Sequence, residues 1–152
     1  DEVGMEGGHD PDNRRPMRWE RDEPQRALLA DVRSLARLRR EHPALRGSGF
    51  RPIATTDRRV AVYLRSVSGT EELPGEDGAP GEVALVALNT SDATVTLDLR
   101  LGDDTARPGA LAWPAHARHA RDPLSGAIHT LADQTLRLEA SAGGAVILTP
   151  EG

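Results

Sequence analysis

The sequence predicts a mainly β fold, a two-sheet antiparallel sandwich or a barrel, preceded by one amphipathic helix. Two observations lead to this prediction. Apolar residues follow helical spacing between Pro24 and His42. From Gly47 onward the period changes from about 3.6 to 2, and short β-type runs alternate with clusters of turn residues. The fold class therefore rests on where the hydrophobic period changes along the chain.

The helix is predicted over residues 24–42. Pro24 suits a first helical turn, and the acidic Asp22 and Glu23 before it suit the positive end of the helix dipole. Pro43 disfavours helical geometry at His42, so the helix is expected to end there. The helix carries one apolar stripe that requires a partner, formed by Leu28, Leu29, Val32, Leu35, Ala36 and Leu38.

Eight strands are predicted in the remainder of the chain. They cover residues 50–54, 60–66, 83–89, 94–99, 111–114, 117–121, 136–139 and 145–149. Residues 83–88 are apolar throughout, which is typical of a central strand. Residues 69–81 are rich in Gly, Pro and acidic side chains and predict an exposed hairpin loop.

Composition excludes several classes of function. The 152 residues are too few for a complete (β/α)8 barrel, which needs roughly 250. The absence of Cys excludes disulfides, thiolate metal sites and Cys nucleophiles, and the absence of Lys excludes a Schiff base. The net charge of -5 argues against a nucleic-acid partner. No apolar run approaches the ~20 residues that span a bilayer, so no membrane partner is expected.

The densest polar segment is residues 9–15, His-Asp-Pro-Asp-Asn-Arg-Arg. Asp10, Asp12 and Asn13 offer oxygen ligands for calcium, but they lack the spacing, the Gly and the distal Glu of an EF-hand loop. Asp10 and Arg14 lie four residues apart around a turn, and such a pair binds adjacent hydroxyl groups or forms its own ion pair. The chemistry alone favours the last interpretation, a solvated salt-bridged turn.

Other polar and aromatic residues give weaker signals. The five His residues form no catalytic triad, because neither Ser125 nor Ser141 lies in a G-x-S-x-G elbow. His116 and His119 are spaced for metal binding on a helix, but their segment predicts strand and loop. Trp113 is either a stacking platform for a sugar ring or, more in keeping with its size, a core residue.

Residues 1–17, which contain D-E-V-G and D-P-D-N-R-R-P-M, closely resemble a stretch of the α-amylase family of glycoside hydrolases. The neopullulanase, cyclomaltodextrinase and α-glucosidase branches are the most similar. Residues 35–46 resemble the last barrel helix of that family and its exit. The β-rich remainder, with D-P-L-S-G at 122–126, resembles its C-terminal Greek-key sandwich. Asn13, where relatives often have Cys, and Arg18, where Pro is common, depart from the pattern.

The resemblance implies a C-terminal antiparallel Greek-key β-sandwich at 47–152, preceded at 1–46 by the strand-eight loop and last helix of a (β/α)8 barrel whose remainder is absent. It implies retaining hydrolysis of α-glucosidic bonds by an intact bacterial enzyme, with α-glucan or maltooligosaccharide as substrate and the remaining barrel as partner. Separately from the resemblance, a cytoplasmic location is expected. The catalytic carboxylates of the family lie upstream of these segments, so no catalytic residue is expected here and the chain alone is expected to be inactive. No metal ligand or cofactor is assigned to the chain.

Only two site residues follow from the resemblance. Asp10 and Arg14 match positions in the strand-eight loop that hydrogen-bond sugar hydroxyls in related enzymes. Asp12, Asn13 and Arg15 are expected to hold the shape of that loop. Two alternative functions stay open: a glucosyl transferase or trehalose-forming isomerase of the same family, and a non-catalytic carbohydrate-binding sandwich module.

Overall fold

The structure is a computed structural model, and it describes residues 2–67, 82–102 and 111–151. The hairpin loop predicted at 69–81 lies outside the described residues. The contacts divide the chain into two compact units, Asp1–Arg39 and Arg40–Gly152. The first unit holds a loop and most of the helix, and the second holds every strand of the described chain.

The first unit contains a short 3-10 helix, Asp12–Arg14, and helix α1, Glu23–Glu41. Asp22 caps α1: its Oδ1 accepts a hydrogen bond from the Gln25 backbone N–H at 2.9 Å, and Gln25 Oε1 accepts one from the Asp22 backbone N–H at 3.3 Å. This reciprocal pair satisfies two backbone donors at the helix start. The predicted helix is therefore confirmed to within one residue at each end.

The apolar stripe of α1 is largely uncovered. Leu28 and Leu35 are 39% and 46% exposed, Leu29 and Val32 are half-buried, and Leu38 is buried. After α1 a second 3-10 helix, Pro43–Leu45, leads into the strands. The expectation that this stripe requires a partner stays a prediction.

The second unit contains eight strands. They are β1 (Gly49–Ile53), β2 (Val60–Ser66), β3 (Val83–Asn89), β4 (Val95–Arg100), β5 (His119–Arg121), β6 (Ile128–Ala132), β7 (Thr135–Ala140) and β8 (Ala145–Glu151). All strand pairs are antiparallel, in the order β1-β2-β3-β8-β5-β6-β7-β4. Strands β5, β6 and β7 form a meander with β4 beside β7, which is a Greek-key arrangement.

Strands β8 and β6 each pair with two different neighbours along their length. The first part of β8 pairs with β3, from Leu88↔Ala145 to Leu85↔Leu148, and its last three residues pair with β5. Strand β6 pairs first with β5 and then, through Leu131 and Ala132, with β7. Because these strands change partners along their length, the two halves fold over each other as the layers of a sandwich.

A single core lies between the layers. Strands β2, β4 and β7 alternate buried and more exposed side chains, whereas six of the seven residues of β3 are buried. This confirms the central position predicted for residues 83–88. The core includes Val62, Leu64, Leu85, Leu97, Leu99, Leu136, Leu138, Leu148 and Trp113. The predicted Greek-key sandwich is thus the observed fold.

Two strand predictions differ from the structure. Residues 111–114 are not a strand, because Trp113 is buried in the core without pairing its backbone in a sheet. Residues 128–132 form β6, which the sequence did not predict. Its side chains alternate in burial, but the apolar Ile128 lies with Thr130 on the exposed face and the polar His129 lies with Leu131 on the more buried face. Pairing with β5 and β7, rather than its own apolar period, makes it a strand.

Candidate functional site

The polar segment at residues 9–15 folds as a tight turn. The backbone N–H of Asp12 donates to the His9 carbonyl at 2.7 Å, and that of Arg14 donates to the Pro11 carbonyl at 3.0 Å. A side chain at Gly8 would bring its Cβ within 2.8 Å of Asp12 Oδ2. A larger residue at position 8 would therefore displace the Asp12 carboxylate and disturb its contact with Arg15.

The structure brings Asp10 and Arg14 together. Arg14 Nε lies 2.7 Å from Asp10 Oδ1, and the side chains are 78% and 63% exposed. The other carboxylate oxygen of Asp10 and the two terminal nitrogens of Arg14 make no other ion pair within the described residues. The pair thus presents an acceptor and several donors side by side at the surface. Its role in sugar binding stays a prediction.

A second ion pair holds the turn. Arg15 Nε donates to Asp12 Oδ1 at 2.8 Å, and Arg15 Nη2 donates to both carboxylate oxygens at 2.6 and 2.7 Å. This forked contact fixes the geometry of both side chains more firmly than a single hydrogen bond would. Because Asp12 lies between Asp10 and Arg14 in sequence, the second pair restricts the backbone that carries the first. This matches the role expected for Asp12 and Arg15.

The other residues considered from the sequence lie apart from this turn. Within 2–67, 82–102 and 111–151, no three His, Asp or Glu side chains are grouped so that they could hold a metal ion. His119 Nδ1 lies 3.4 Å from Thr130 Oγ1 on the neighbouring strand, and His116 is exposed in a turn. Trp113 is 2% exposed, which rules out a stacking platform and agrees with the core interpretation.

An open surface groove of about 320 Å³ lies beside the turn, and no pattern in the sequence predicts it. Its lining residues come from the start of the chain, the end of the turn and the start of α1: Gly4, Met5, Glu6, Arg15, Arg18, Asp22, Pro24 and Gln25. No sequence spacing marks it, because residues up to twenty-one positions apart form one wall.

A helix that spans a membrane would need a long apolar stretch, and the helices of the described chain contain none.

Comparisons with known proteins give relatives in sequence and in structure, while no family model matches the chain. The chain is 41% identical over 66 residues to a cyclomaltodextrinase of Bacillus sp, covering 43% of this chain and 12% of the relative. It is 47% identical over 69 residues to a maltogenic alpha-amylase of Bacillus acidopullulyticus, again covering 43% and 12%. The chain therefore aligns with only about an eighth of the length of these curated relatives.

The structural comparison covers more of the chain. A solved cyclomaltodextrinase structure superposes on 99% of this chain and 22% of its own length, with a TM-score of 0.70 and 26% sequence identity. The likeness in structure thus extends over both compact units, and the likeness in sequence is strongest over less than half of the chain.

Proposed function

Because the chain corresponds in sequence and in fold to the C-terminal part of α-amylase family enzymes, we propose that it is part of an α-glucan-active glycosidase and that Asp10 and Arg14 bind hydroxyl groups of the glucan. The observation that carries the proposal is the exposed Asp10–Arg14 pair, held in place by the forked Asp12–Arg15 contact. The relatives in sequence, a cyclomaltodextrinase and a maltogenic alpha-amylase, support a maltooligosaccharide substrate.

The chemistry of the pair suits a sugar. Each hydroxyl of a vicinal diol both donates and accepts a hydrogen bond, so it is best matched by a carboxylate oxygen next to a guanidinium. The pair offers both groups within one turn, and their 2.7 Å contact already fixes the spacing.

The reaction itself is assigned to residues beyond this chain. Retaining hydrolysis of an α-glucosidic bond needs a nucleophilic carboxylate and an acid/base carboxylate on opposite sides of the bond. In the proposal, residues 1–46 complete the substrate-binding end of a barrel and residues 47–152 form the attached sandwich. The remaining barrel is the partner that supplies the two carboxylates.

Titration of the isotopically labelled chain with maltotriose, followed by NMR, tests the binding role. We expect the amide signals of residues 9–15 to shift, and we expect Asp10→Asn and Arg14→Met to weaken binding about tenfold each, since each removes a hydrogen bond to a charged group. Asp31→Asn and Arg33→Met make the same charge changes on exposed positions of α1 and serve as controls. Equal affinity in the site and control variants would rule out this role for the pair.

The same titration separates the proposal from a non-catalytic binding module. The chain has two tryptophans, of which Trp19 is 78% exposed and Trp113 is 2% exposed. Each gives its own indole signal, so a sandwich that binds glucan through Trp113 would shift that signal. We expect the Trp113 signal to stay in place, because the buried ring offers no face to a ligand.

A further inference from the structure

We propose that the sandwich holds one internal water molecule, which accepts a hydrogen bond from the indole N–H of Trp113 and donates one to the side-chain carbonyl of Gln134. The proposal is independent of the glucan site, because both residues belong to the second compact unit. It rests on two buried polar atoms of opposite hydrogen-bonding character, and on the contact that brings the side chain of Gln134 to the segment of Trp113.

The indole nitrogen of Trp113 is buried without a partner. The residue is 2% exposed and belongs to the same core cluster as Leu101 and Ala117. Its Nε1 makes no hydrogen bond within the part of the chain that the structure describes. An indole N–H is a donor only, and a buried donor without an acceptor lowers the stability of the folded state. Protein interiors satisfy such groups with a protein acceptor or with ordered water.

Gln134 supplies a buried acceptor that is also unpaired. Its Oε1 accepts no hydrogen bond from the described residues, whereas its Nε2 donates to the carbonyl of Ala115 at 2.8 Å. Ala115 lies two residues after Trp113, in the turn that follows it. The carboxamide of Gln134 is therefore anchored on the segment that carries the unpaired donor.

The backbone at Gln134 is strained. Asp133 and Gln134 form the two-residue connection between β6 and β7, and both have positive φ, 47° and 59°. Glycine and asparagine are the usual residues at such positions. The Gln134 carbonyl accepts from the Leu101 backbone N–H at 2.9 Å, and a Cβ at Gly102 would lie 2.9 Å from the Gln134 Cβ. A long amide held at a strained position indicates a use that glycine cannot serve.

Water fits between the two groups better than a direct bond or an ion. Trp113 Nε1 and Gln134 Oε1 form no hydrogen bond with each other, although one is a donor and the other an acceptor. A buried water needs at least two polar partners, and these atoms are two. One water molecule satisfies both, because it accepts and donates at once. Both side chains are neutral, so the site offers no charge to an ion. The water joins the turn after Trp113 to the β6–β7 connection.

NMR cross peaks between water and the indole N–H protons of the labelled chain test this proposal. A long-lived internal water gives laboratory-frame and rotating-frame Overhauser effects of opposite sign. A short-lived surface water, or exchange of the indole proton, gives the same sign in both. We expect opposite signs at the Trp113 indole proton. The indole of Trp19, which is 78% exposed, is the internal control and is expected not to show them.

Gln134→Met tests whether the amide holds the water. This change removes the amide oxygen at similar side-chain length, and we expect it to abolish the water cross peak at Trp113. Gln25→Met makes the same change in the α1 cap and is expected to leave that cross peak in place. Retained amide signals of Leu97 and Leu138, which pair across β4 and β7, show that the Gln134 variant is folded.

Two results would overturn the proposal. Effects of the same sign, or no cross peak at all, at the Trp113 indole of the unaltered chain would mean that no internal water is bound there. This measurement needs no variant, so it decides the proposal even if Gln134→Met does not fold. An opposite-sign effect that persists in folded Gln134→Met would mean that the water is held without the amide, and the assignment of Gln134 would be wrong.

Discussion

At the scale of single residues, Asn89 is a buried polar side chain that joins several parts of the sandwich. It is 3% exposed, and its Nδ2 donates to the carbonyls of Ala93, Ala140 and Ser141 at 2.8, 3.0 and 2.9 Å. Its Oδ1 accepts from the backbone N–H and the hydroxyl of Ser91 at 3.0 and 2.8 Å. One amide thus joins the end of β3 to the turn after it and to the end of β7.

Asn89→Asp is predicted to destabilise the fold by about 3 kcal/mol or more, because a buried carboxylate oxygen would face three carbonyl oxygens in place of an amide donor. Asp98→Asn changes an exposed residue of β4 and is the control, with an expected effect within about 0.5 kcal/mol. Urea denaturation measures both. A loss below 1 kcal/mol for Asn89→Asp would show that the donors of this amide contribute little.

The stability of the fold is expected to depend on pH through the carboxyl group of a single residue, Asp57. The hydrogen bond from the Arg59 guanidinium, 2.7 Å from Nη2 to Oδ2, is the main cause that lowers the pKa of the Asp57 carboxyl from its ordinary 3.8 to about 2, and the Arg59 backbone N–H contributes next. The folded state therefore holds the charged form more strongly than the unfolded state does. The contribution to stability is present above about pH 4 and is lost as the pH falls through about 2.

Comparison of the unaltered chain with Asp57→Asn across that range tests the assignment. The unaltered chain is predicted to be the more stable of the two above pH 4, and the difference in denaturation midpoint is expected to shrink toward pH 2. If the difference in denaturation midpoint between the two chains stays constant with pH, the charge of Asp57 does not contribute to stability.

At the scale of secondary-structure elements, α1 is predicted to be the least stable element of the chain. Its apolar stripe leaves Leu28 and Leu35 39% and 46% exposed, so burial of these side chains stabilises the helix little. The cap formed by Asp22 and Gln25 offsets only part of this, since a cap contributes about 1 kcal/mol. Amide hydrogens of residues 28–38 should exchange faster than those of β3. Equal protection would show that the stripe is covered in solution.

The elements also show how far the sequence determines the fold. The helix and strands β2 and β3 were predicted almost to the residue, because each carries an unbroken period or an unbroken apolar run. The errors at residues 111–114 and 128–132 arise because a residue can be buried without pairing in a sheet, and can pair in a sheet without being buried. Trp113 is buried but unpaired in any sheet, while Ile128 is paired but 55% exposed. A hydrophobic pattern reports burial only, so it misleads at both places.

One part of the candidate site could be predicted from the sequence, and another part could not. Asp10 and Arg14 were chosen from a resemblance in sequence, and their four-residue spacing around a turn was enough to predict their contact as one alternative. The groove depends instead on how residues 4–6 return beside Arg18 and the start of α1. Such a return has no local pattern in the sequence, which explains why the groove was not predicted.

At the scale of the whole molecule, the isolated chain is predicted to hydrolyse none of maltose, maltotriose, cyclodextrin and pullulan. The proposed reaction needs two carboxylates across the scissile bond, and the proposal assigns both to the remaining barrel. Product analysis after long incubation of the purified chain measures this. Robust turnover that persists through purification would place catalytic groups within these 152 residues and overturn the assignment.

The position of β8 also affects how the protein is made. Among the described strands β8 comes last along the chain, and yet it lies in the middle of the sheet, with β3 on one side and β5 on the other. While a ribosome is still adding residues 145–151, β3 and β5 each expose an open edge that can pair with another nascent chain. The sandwich therefore closes only after β8 has left the exit tunnel, and a ribosome that stalls before residue 145 leaves an intermediate with two unpaired strand edges.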